Sequence, residues 1–200
     1  MLLIHDVDHR NQGDRFPEVF KEAMAGGYKA ILSLREQGLV RAIGCGLNEW
    51  QACQAFAEAG DFDCFLLAGR YTLLEQESLK SFLPLCEKRG IGIILGGPYN
   101  SGILASGAVK DAWFDYAPAP QNILARVAAI EKLCSSHDVP LKAAALQFPL
   151  HHPCVASVIP GTRGAAELDE NLRVLNTPIP VELWRELKSA GLIDAQAPTS

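Results

Sequence analysis

Two glycine-containing turns hold the residues of this 200-residue sequence best suited to binding a phosphate group. The first, Gly96–Gly102, contains three glycines and follows an apolar run, so its backbone N–H groups can face an anion. The second, Ile159–Arg163, combines a glycine, a hydroxyl and a guanidinium directly before a helical segment. An ordinary strand-to-helix turn capped by Thr162 explains this second turn equally well. The two turns therefore predict a phosphate site only if the fold places them together.

His5 is the residue whose type and position suggest positioning or acid–base chemistry. It ends the apolar run Leu2–His5, which has no polar alternation and is typical of a strand buried on both faces. Barrel enzymes carry their catalytic groups at the carboxyl ends of such strands. A histidine held there by hydrogen bonds, without a catalytic role, is the alternative interpretation.

Alternating apolar and helical segments must position these residues. The predicted strands cover residues 2–5, 40–45, 62–67, 91–95 and 155–159. The predicted helices cover residues 17–38, 49–59, 78–89, 121–137, 140–147, 165–175 and 181–190, and residues 6–17 and 96–120 are predicted as loops. This alternation predicts a parallel sheet with right-handed crossovers in one α/β domain.

Two α/β folds are compatible with this alternation, an open doubly wound sheet and a closed barrel. The dinucleotide fingerprint G-x-G-x-x-G is incomplete, because no third glycine follows Gly44 and Gly46 at the required spacing. A phosphate site formed after the last two strands is typical of the eight-stranded (β/α) barrel. The sequence thus favours a single, incomplete TIM-barrel domain over residues 1–200, comprising strands four to eight with their helices.

Composition excludes several function classes. A net charge of -5 argues against nucleic-acid binding through a basic face. No apolar run approaches the ~20 residues that span a bilayer, and no signal peptide opens the chain, so we expect a cytoplasmic protein without membrane contact. The six cysteines are isolated in sequence, which predicts reduced, buried side chains.

As an ordered set, several segments resemble the aldo-keto reductases: Leu3–Asp6, Gly38–Gly44, Gly92–Leu104, Val158–Gly161 and Glu170–Asn171. Four others are similar to the aldose 1-dehydrogenase branch of that family, which includes L-fucose dehydrogenase and pyridoxal 4-dehydrogenase: Gly46–Trp50, Tyr99–Leu104, Tyr116–Pro120 and Leu146–Pro149. The resemblance implies a (β/α)8 barrel that transfers hydride with NAD(P).

The resemblance also implies roles for individual residues. His5 matches the active-site histidine that orients the substrate oxygen. The implied cofactor contacts are Asn48 to the nicotinamide carboxamide, Gly97, Tyr99 and Ser101 to the pyrophosphate, Thr162 and Arg163 to the adenosine phosphate, and Glu170 and Asn171 to the adenine.

Four positions depart from the family pattern. Ala68 replaces a glutamine that contacts the carboxamide, and Gly96 replaces an aromatic that stacks on the nicotinamide. Gly161 and Glu167 replace a lysine and an arginine. Fewer cations near the ribose 2′ position favour NAD slightly over NADP, although Arg163 can still pair with a 2′-phosphate.

The family's proton donor is a tyrosine assisted by a lysine and an aspartate, on strands that precede the one carrying the histidine. That strand begins at Met1 here, so we expect an N-terminally truncated fragment without catalysis. Tyr71 and Tyr99 lack a strand-borne lysine that would lower their pKa values. An incomplete sheet also predicts an exposed apolar edge and self-association.

The expected function is oxidation of an aldose anomeric hydroxyl, or of a similar alcohol, or reduction of the carbonyl. The expected substrate is a sugar or an aromatic alcohol or aldehyde, bound by residues 6–16 and 105–120. Within the second loop, Trp113, Phe114 and Tyr116 are more typical of core cover than of stacking platforms. Two alternatives remain: a non-catalytic nucleotide-binding or interaction protein, and an unrelated phosphate-binding barrel such as an aldolase or isomerase.

Overall fold

The computed structural model describes residues 1–199. Its strands are β1 (Leu2–His5), β2 (Ile43–Leu47), β3 (Cys64–Ala68), β4 (Gly92–Gly96), β5 (Trp113–Phe114), β6 (Ala117–Pro118) and β7 (Val155–Ile159). Its α-helices are α1 (His9–Gln12), α2 (Phe16–Glu22), α3 (Tyr28–Glu36), α4 (Trp50–Ala59), α5 (Phe82–Arg89), α6 (Ile103–Ser106), α7 (Gln121–Ser136), α8 (Leu141–Gln147), α9 (Ala165–Leu175) and α10 (Val181–Ser189). Short 3-10 turns cover Gly13–Arg15, Glu77–Lys80 and Phe148–His151, and a π-helical turn covers Ala23–Gly27.

The strand order of the main sheet decides between the two candidate folds. Within residues 1–199, five parallel strands lie in the order β1-β2-β3-β4-β7, so each strand of this sheet after β1 pairs with the preceding strand of the same sheet. A doubly wound sheet reverses its order at a switch point, and this sheet does not. Unidirectional winding with helical crossovers is the arrangement of consecutive strands in a (β/α) barrel, which confirms the fold class predicted from the sequence.

The hydrophobic core lies between the outer face of the sheet and the helices. Side chains on that face, such as Phe65, Leu67 and Ile93, are fully buried. Helix α4 packs against this side of the sheet. Its buried residues are Ala52, Cys53, Phe56 and Ala57, whose sequence spacing places them on one face of the helix. On the opposite face, Leu66 and Ile94 pair in register and are only half-buried.

Six predicted segments or boundaries differ from the structure. Residues 6–17 are not a loop, because Asp8 caps α1 by accepting a hydrogen bond from the backbone N–H of Asn11 and α2 follows directly. The long helix predicted for residues 17–38 is interrupted by the π-helical turn at Gly26 and Gly27. The second strand begins at Ile43 rather than Val40.

The third strand begins at Cys64 rather than at residue 62, and the helix predicted from residue 78 begins at Phe82 after a 3-10 turn. The segment 96–120, predicted as a loop, contains helix α6 and the antiparallel hairpin β5–β6. Both central residues of that hairpin turn, Asp115 and Tyr116, have positive φ angles of 50° and 64°. A two-residue turn of this kind matches the twist of paired strands.

All six cysteines are buried, as the sequence predicts. Among residues 1–199, no helix combines the length and the apolar content needed to cross a membrane.

Candidate functional site

A cavity of about 950 Å³ opens at the carboxyl ends of strands β3, β4 and β7. That volume lies near the upper end of the ~300–1,000 Å³ range of small-molecule sites. Its walls are the turns that follow these three strands, the start of α9 and the β5–β6 hairpin. In a parallel barrel this is the face on which functional residues converge.

The two glycine-containing turns lie side by side in this cavity, as the sequence predicts. The backbone N–H of Gly97 donates to the carbonyl oxygen of Ile159 at 3.3 Å, because β4 and β7 are neighbours in the sheet. Gly97 has a φ of 60°, a left-handed conformation that costs a glycine little. The side chain of Asn100 then donates to the carbonyl oxygen of Gly69 at 3.1 Å, which joins the turn after β3 to the same assembly.

Both turns leave backbone donors available. Within residues 1–199, the backbone N–H groups of Tyr99, Ser101, Gly161 and Thr162 donate to no acceptor of the chain. These four residues line the cavity. Free backbone N–H groups at glycine turns that line one cavity are the kind of donor that binds a phosphate or pyrophosphate, so the site fits the dinucleotide that the sequence implies.

Tyr99 and Asn171 connect the first turn to helix α9. The hydroxyl of Tyr99 donates to Oδ1 of Asn171 at 2.8 Å, and both side chains are buried. Burial raises the pKa of the Tyr99 hydroxyl above its ordinary value, and nearby Glu170 raises it further. Asn171 does not line the cavity, so the structure places it behind the wall, where it positions Tyr99.

Three cations face the cavity, and each is paired with a carboxylate. Arg70 donates to Asp115 at 2.8 Å, Lys142 lies 2.5 Å from Glu170, and Arg163 donates to Glu167 at 2.7 Å. Each pair is therefore close to neutral as a unit. Attraction for a pyrophosphate must come mainly from the backbone donors rather than from a free positive charge.

The Arg163–Glu167 pair involves three hydrogen bonds. Glu167 accepts from the Arg163 backbone N–H at 2.8 Å and from its guanidinium at 2.9 and 2.7 Å. These contacts hold the pKa of Glu167 below its ordinary value and raise the pKa of Arg163. Thr162 is exposed and does not cap α9, because the N-cap is Gly164. The alternative interpretation of Thr162 as a simple helix cap therefore does not hold.

The β5–β6 hairpin forms the wall opposite α9. Asp115 accepts hydrogen bonds from two arginines, Arg10 at 2.9 Å and Arg70 at 2.8 Å. The backbone N–H of Tyr116 donates to Oγ of Ser101 at 3.0 Å. Ser101 thus supports the hairpin through its side chain, while its own N–H stays free toward the cavity.

His5 and Asn48 lie beside the cavity rather than in its lining. The His5 side chain is exposed and lies against Gly46, where an added Cβ would come within 2.3 Å of the imidazole ring. Glycine at position 46 therefore makes room for the histidine. The carbonyl oxygen of Asn48 accepts from Nε of Arg70 at 2.9 Å, which connects Asn48 to the cavity through one side chain.

The two tyrosines considered as proton donors are unsuited to that task. Tyr71 is fully buried, its hydroxyl has no partner in residues 1–199, and burial raises its pKa. Tyr99 is buried against Asn171, and Lys142, the cation nearest to it, lies on helix α8 with its Nζ 5.5 Å from the ring centroid. The Tyr99 hydroxyl is therefore a neutral hydrogen-bond donor to Asn171, and the Tyr71 hydroxyl is buried without a partner in residues 1–199.

Sequence reasoning did not assign several residues of this site. Asp8 is buried and accepts from the backbone N–H of Asn48 at 2.7 Å, which joins the loops after β1 and β2. Lys142 and Asp115 contact the site from a helix and a hairpin, so no strand-end pattern signals them. Arg70 follows β3 by two residues, and the strand-end rule that identified His5 would also have identified it.

Comparison with known proteins agrees with this geometry. The model of the Aldo/keto reductase family matches residues 1–191. The chain is 43% identical to pyridoxal 4-dehydrogenase of Microbacterium luteolum over 195 residues, covering 96% of this chain and 57% of that protein. It is 39% identical to D-threo-aldose 1-dehydrogenase of a Pseudomonas species over 194 residues, covering 96% of this chain and 56% of that protein. The chain thus spans somewhat more than half the length of these relatives.

Solved structures show the same fold at low sequence identity. The holo form of an aldo-keto reductase from Bacillus halodurans superposes with a TM-score of 0.65 at 20% identity, covering 98% of this chain and 62% of that one. A glycerol dehydrogenase from Gluconobacter oxydans superposes with a TM-score of 0.68 at 17% identity, covering 100% of this chain and 59% of that one. Because the family model matches residues 1–191 of its 200 residues, this chain belongs to the aldo/keto reductase family.

Proposed function

We propose that this chain provides the dinucleotide-binding part of an NAD(P)-dependent oxidoreductase that interconverts an aldose or similar alcohol with its carbonyl product. The observation that carries the proposal is the pair of adjacent turns whose residues line one cavity and whose backbone N–H groups at Tyr99, Ser101, Gly161 and Thr162 have no acceptor within residues 1–199. The similarity to an aldose dehydrogenase and a pyridoxal dehydrogenase supports the choice of an alcohol or aldehyde substrate.

The direction that we propose for the bound dinucleotide combines the strand order with the residue roles that the resemblance implies. The pyrophosphate would lie on the turns at Gly97–Ser101 and Gly161–Thr162, in the middle of the cavity. The nicotinamide would extend toward Asn48 and His5, because β1 and β2 lie on that side of β4. The adenosine would then extend in the opposite direction, along Arg163 and Glu170 at the start of α9.

The bound nicotinamide would exchange hydride with the substrate carbon. His5 would orient the substrate oxygen, since its exposed ring donates to no acceptor within residues 1–199. The buried hydroxyls of Tyr71 and Tyr99 favour nucleotide binding without turnover by residues 1–199 alone. A non-catalytic nucleotide-binding module is therefore the second candidate function.

Glu167 supports a preference for NAD. In dinucleotide sites a carboxylate recognises the ribose 2′-hydroxyl, whereas an arginine accommodates a 2′-phosphate. Here the guanidinium of Arg163 is already bound to Glu167. A 2′-phosphate would have to displace that carboxylate and lie beside its negative charge, which opposes NADP.

Titration of the purified chain with NAD⁺ and NADP⁺, followed by calorimetry, tests this proposal. We expect NAD⁺ to bind more tightly, and Glu167→Gln to reduce the difference between the two nucleotides. Gly97→Ala should weaken nucleotide binding by about tenfold or more, because a Cβ at a φ of 60° strains the turn that carries the donors. Gly38→Ala is the matched control, since Gly38 has a similar φ of 72° and lies away from the cavity.

Equal nucleotide affinities of the two glycine variants would contradict the placement of the pyrophosphate. A dehydrogenase assay with NAD⁺ and either L-fucose or pyridoxal then separates the two candidate functions. Formation of reduced cofactor identifies the enzyme, and binding without reduction identifies the module.

A further inference from the structure

The β5–β6 hairpin presents two aromatic side chains at the cavity instead of burying them. Trp113 is 51% exposed and Tyr116 is 68% exposed, and both line the cavity. Phe114, between them, is half-buried and packs on the core. The sequence-based expectation that all three cover the core is thus wrong for Trp113 and Tyr116. Exposed aromatic rings beside a cavity supply flat apolar surfaces for a ring-shaped ligand.

The hairpin is fixed in place by contacts from three other segments. Asp115 binds Arg10, which follows β1, and Arg70, which follows β3. The guanidinium of Arg10 also lies 5.0 Å from the centroid of the Tyr116 ring. Ser101 accepts from the Tyr116 N–H. A ring held in this way is ordered before a ligand arrives, which reduces the entropic cost of binding.

The hairpin surface carries no excess positive charge, and Asp111, whose carboxylate has no partner within residues 1–199, adds a negative charge to the same part of the cavity lining. The guanidiniums of Arg10 and Arg70 are matched by the carboxylates of Asp115 and Glu75, the latter 4.0 Å from Arg70. Such a surface offers hydrogen-bond donors and acceptors to hydroxyl groups without a net charge to attract an anion. It therefore favours an uncharged polyhydroxyl ligand over a phosphorylated one.

The hairpin is also placed to reach the reacting end of a bound dinucleotide. Arg10 lies on helix α1, which follows His5 and β1, and Arg70 donates to the carbonyl oxygen of Asn48. Through these two arginines, the hairpin is joined to the strand ends toward which we place the nicotinamide. The start of α9, where we place the adenosine, forms the opposite wall.

We infer that the hairpin Trp113–Pro118 selects the substrate, with Trp113 and Tyr116 stacking on an uncharged hydroxylated ring such as a pyranose or a hydroxymethylpyridine. Asp115 is a positioning residue: it binds Arg10 and Arg70 and so fixes the hairpin that carries both rings, and Arg10 also contacts the Tyr116 ring. The inference rests on the proposed oxidoreductase function and names the substrate class of that same site.

The test measures ring binding and nucleotide binding separately on the full chain. Calorimetry with L-fucose and with pyridoxine, each in the presence of saturating NAD⁺, should give measurable affinity for the unaltered protein. Trp113→Ala and Tyr116→Ala should each weaken that binding about threefold to tenfold, the range expected for one aromatic contact. Tyr116→Phe keeps the ring and should bind as the unaltered protein does.

A variant of Asp115 and a phosphorylated ligand test the inference further, and a variant of Leu39 serves as the control. Asp115→Asn should weaken ring binding while leaving the far-ultraviolet circular dichroism spectrum unchanged, because it loosens the hairpin without unfolding the barrel. Pyridoxine 5′-phosphate should bind more weakly than pyridoxine. Leu39→Ala removes an equally exposed apolar side chain away from the cavity and should have no effect.

The nucleotide titration keeps the two proposals distinct. If NAD⁺ does not bind the unaltered chain, the proposed function fails. If NAD⁺ binds but ring affinity is the same in Trp113→Ala, Tyr116→Ala and the unaltered protein, the hairpin assignment is overturned. Tighter binding of the phosphorylated ring would overturn the assigned ligand class.

Discussion

The two walls of the cavity use the same kind of arginine–carboxylate contact in different ways. At the hairpin, Asp115 joins arginines that are 105 and 45 residues away in the sequence, and Arg70 is only 17% exposed. Before the start of α9, Arg163 contacts Glu167, four residues further along the chain in the first turn of the helix, and is 92% exposed. The hairpin contacts fix tertiary structure, whereas the α9 contact is local.

This difference indicates which wall can adapt to a ligand. Exposed ion pairs within one helical turn contribute little to stability, since water and salt screen them. Partly buried contacts that join distant segments are harder to replace. We therefore expect the hairpin wall to be preformed and the α9 wall to rearrange around the nucleotide. The buried Tyr99–Asn171 hydrogen bond keeps α9 itself in position.

The largest effect is expected from Tyr99→Phe. This change removes the hydrogen bond to Asn171, whose Nδ2 already lacks a partner within residues 1–199, and so leaves a buried amide without any acceptor or donor contact. Leaving a buried polar group unpaired costs about 1–3 kcal/mol, or roughly 2–4 °C in Tm for each kcal/mol at this chain length. Thermal unfolding followed by circular dichroism measures it.

Tyr28→Phe serves as the control for that measurement. The Tyr28 hydroxyl accepts from the backbone N–H of Asp61 at 2.8 Å in an exposed position, where water can replace it. We expect its Tm to stay close to that of the unaltered chain. Similar losses in both variants would show that the buried link to α9 has no special importance.

A smaller effect is expected when the hairpin contact is weakened by Asp115→Asn. Asparagine tolerates the positive φ of this position, so the change mainly removes the negative charge that holds Arg10 and Arg70. Amide hydrogen exchange at Tyr116 should accelerate about fivefold to tenfold, because its N–H is released from Ser101 when the hairpin opens.

Asp111→Asn is the matched control for the hairpin. Asp111 lies in the same segment and lines the cavity, but its carboxylate makes no hydrogen bond or ion pair within residues 1–199. Exchange at Tyr116 should therefore stay unchanged in that variant. Unchanged exchange in Asp115→Asn as well would remove the distinction between a preformed and an adaptable wall.

The parts of the molecule that the sequence predicted are those with repeated local signals. Apolar runs such as Ile91–Leu95 and the glycine turn after it follow from strand burial and backbone conformation, and the structure places that strand within one residue of the prediction. The adjacency of the turns at Gly97 and Gly161 followed from the parallel order of the strands. Each of these inferences needed only the pattern and the rule that consecutive strands are neighbours.

Local patterns and strand order could not predict contacts between segments that are distant in the sequence. Nothing in the sequence around Asp115 indicates that it meets Arg10 and Arg70, because the contact depends on how the hairpin folds back over two strand ends. The exposure of Trp113 likewise depends on the positive φ angles of the turn that follows it. Asn171 was assigned to the ligand by its motif; that motif did not signal that its Oδ1 accepts from Tyr99 inside the wall while its Nδ2 has no partner within residues 1–199.

The smallest effect that we expect concerns Glu167, and it is a change in the pKa of its carboxyl group rather than in the stability of the fold. Hydrogen bonds from Arg163 lower the pKa of Glu167 in the folded chain, so the carboxylate stays charged and paired as the pH falls past its ordinary value of 4.5. Any stabilisation by this pair is present above that value and is lost only when Glu167 becomes protonated at lower pH. A carbon-13 NMR titration of the side-chain carboxyl detects this directly.

Arg163→Gln should return the Glu167 pKa toward 4.5, while Arg185→Gln, which removes a cation from α10, should leave it unchanged. Neither variant should shift Tm measurably, because the Arg163–Glu167 pair is local and exposed. A clear loss of Tm in Arg163→Gln would mean that the α9 wall is as rigidly held as the hairpin. The contrast between the two walls would then disappear, and with it the expectation that only one of them moves when the nucleotide binds.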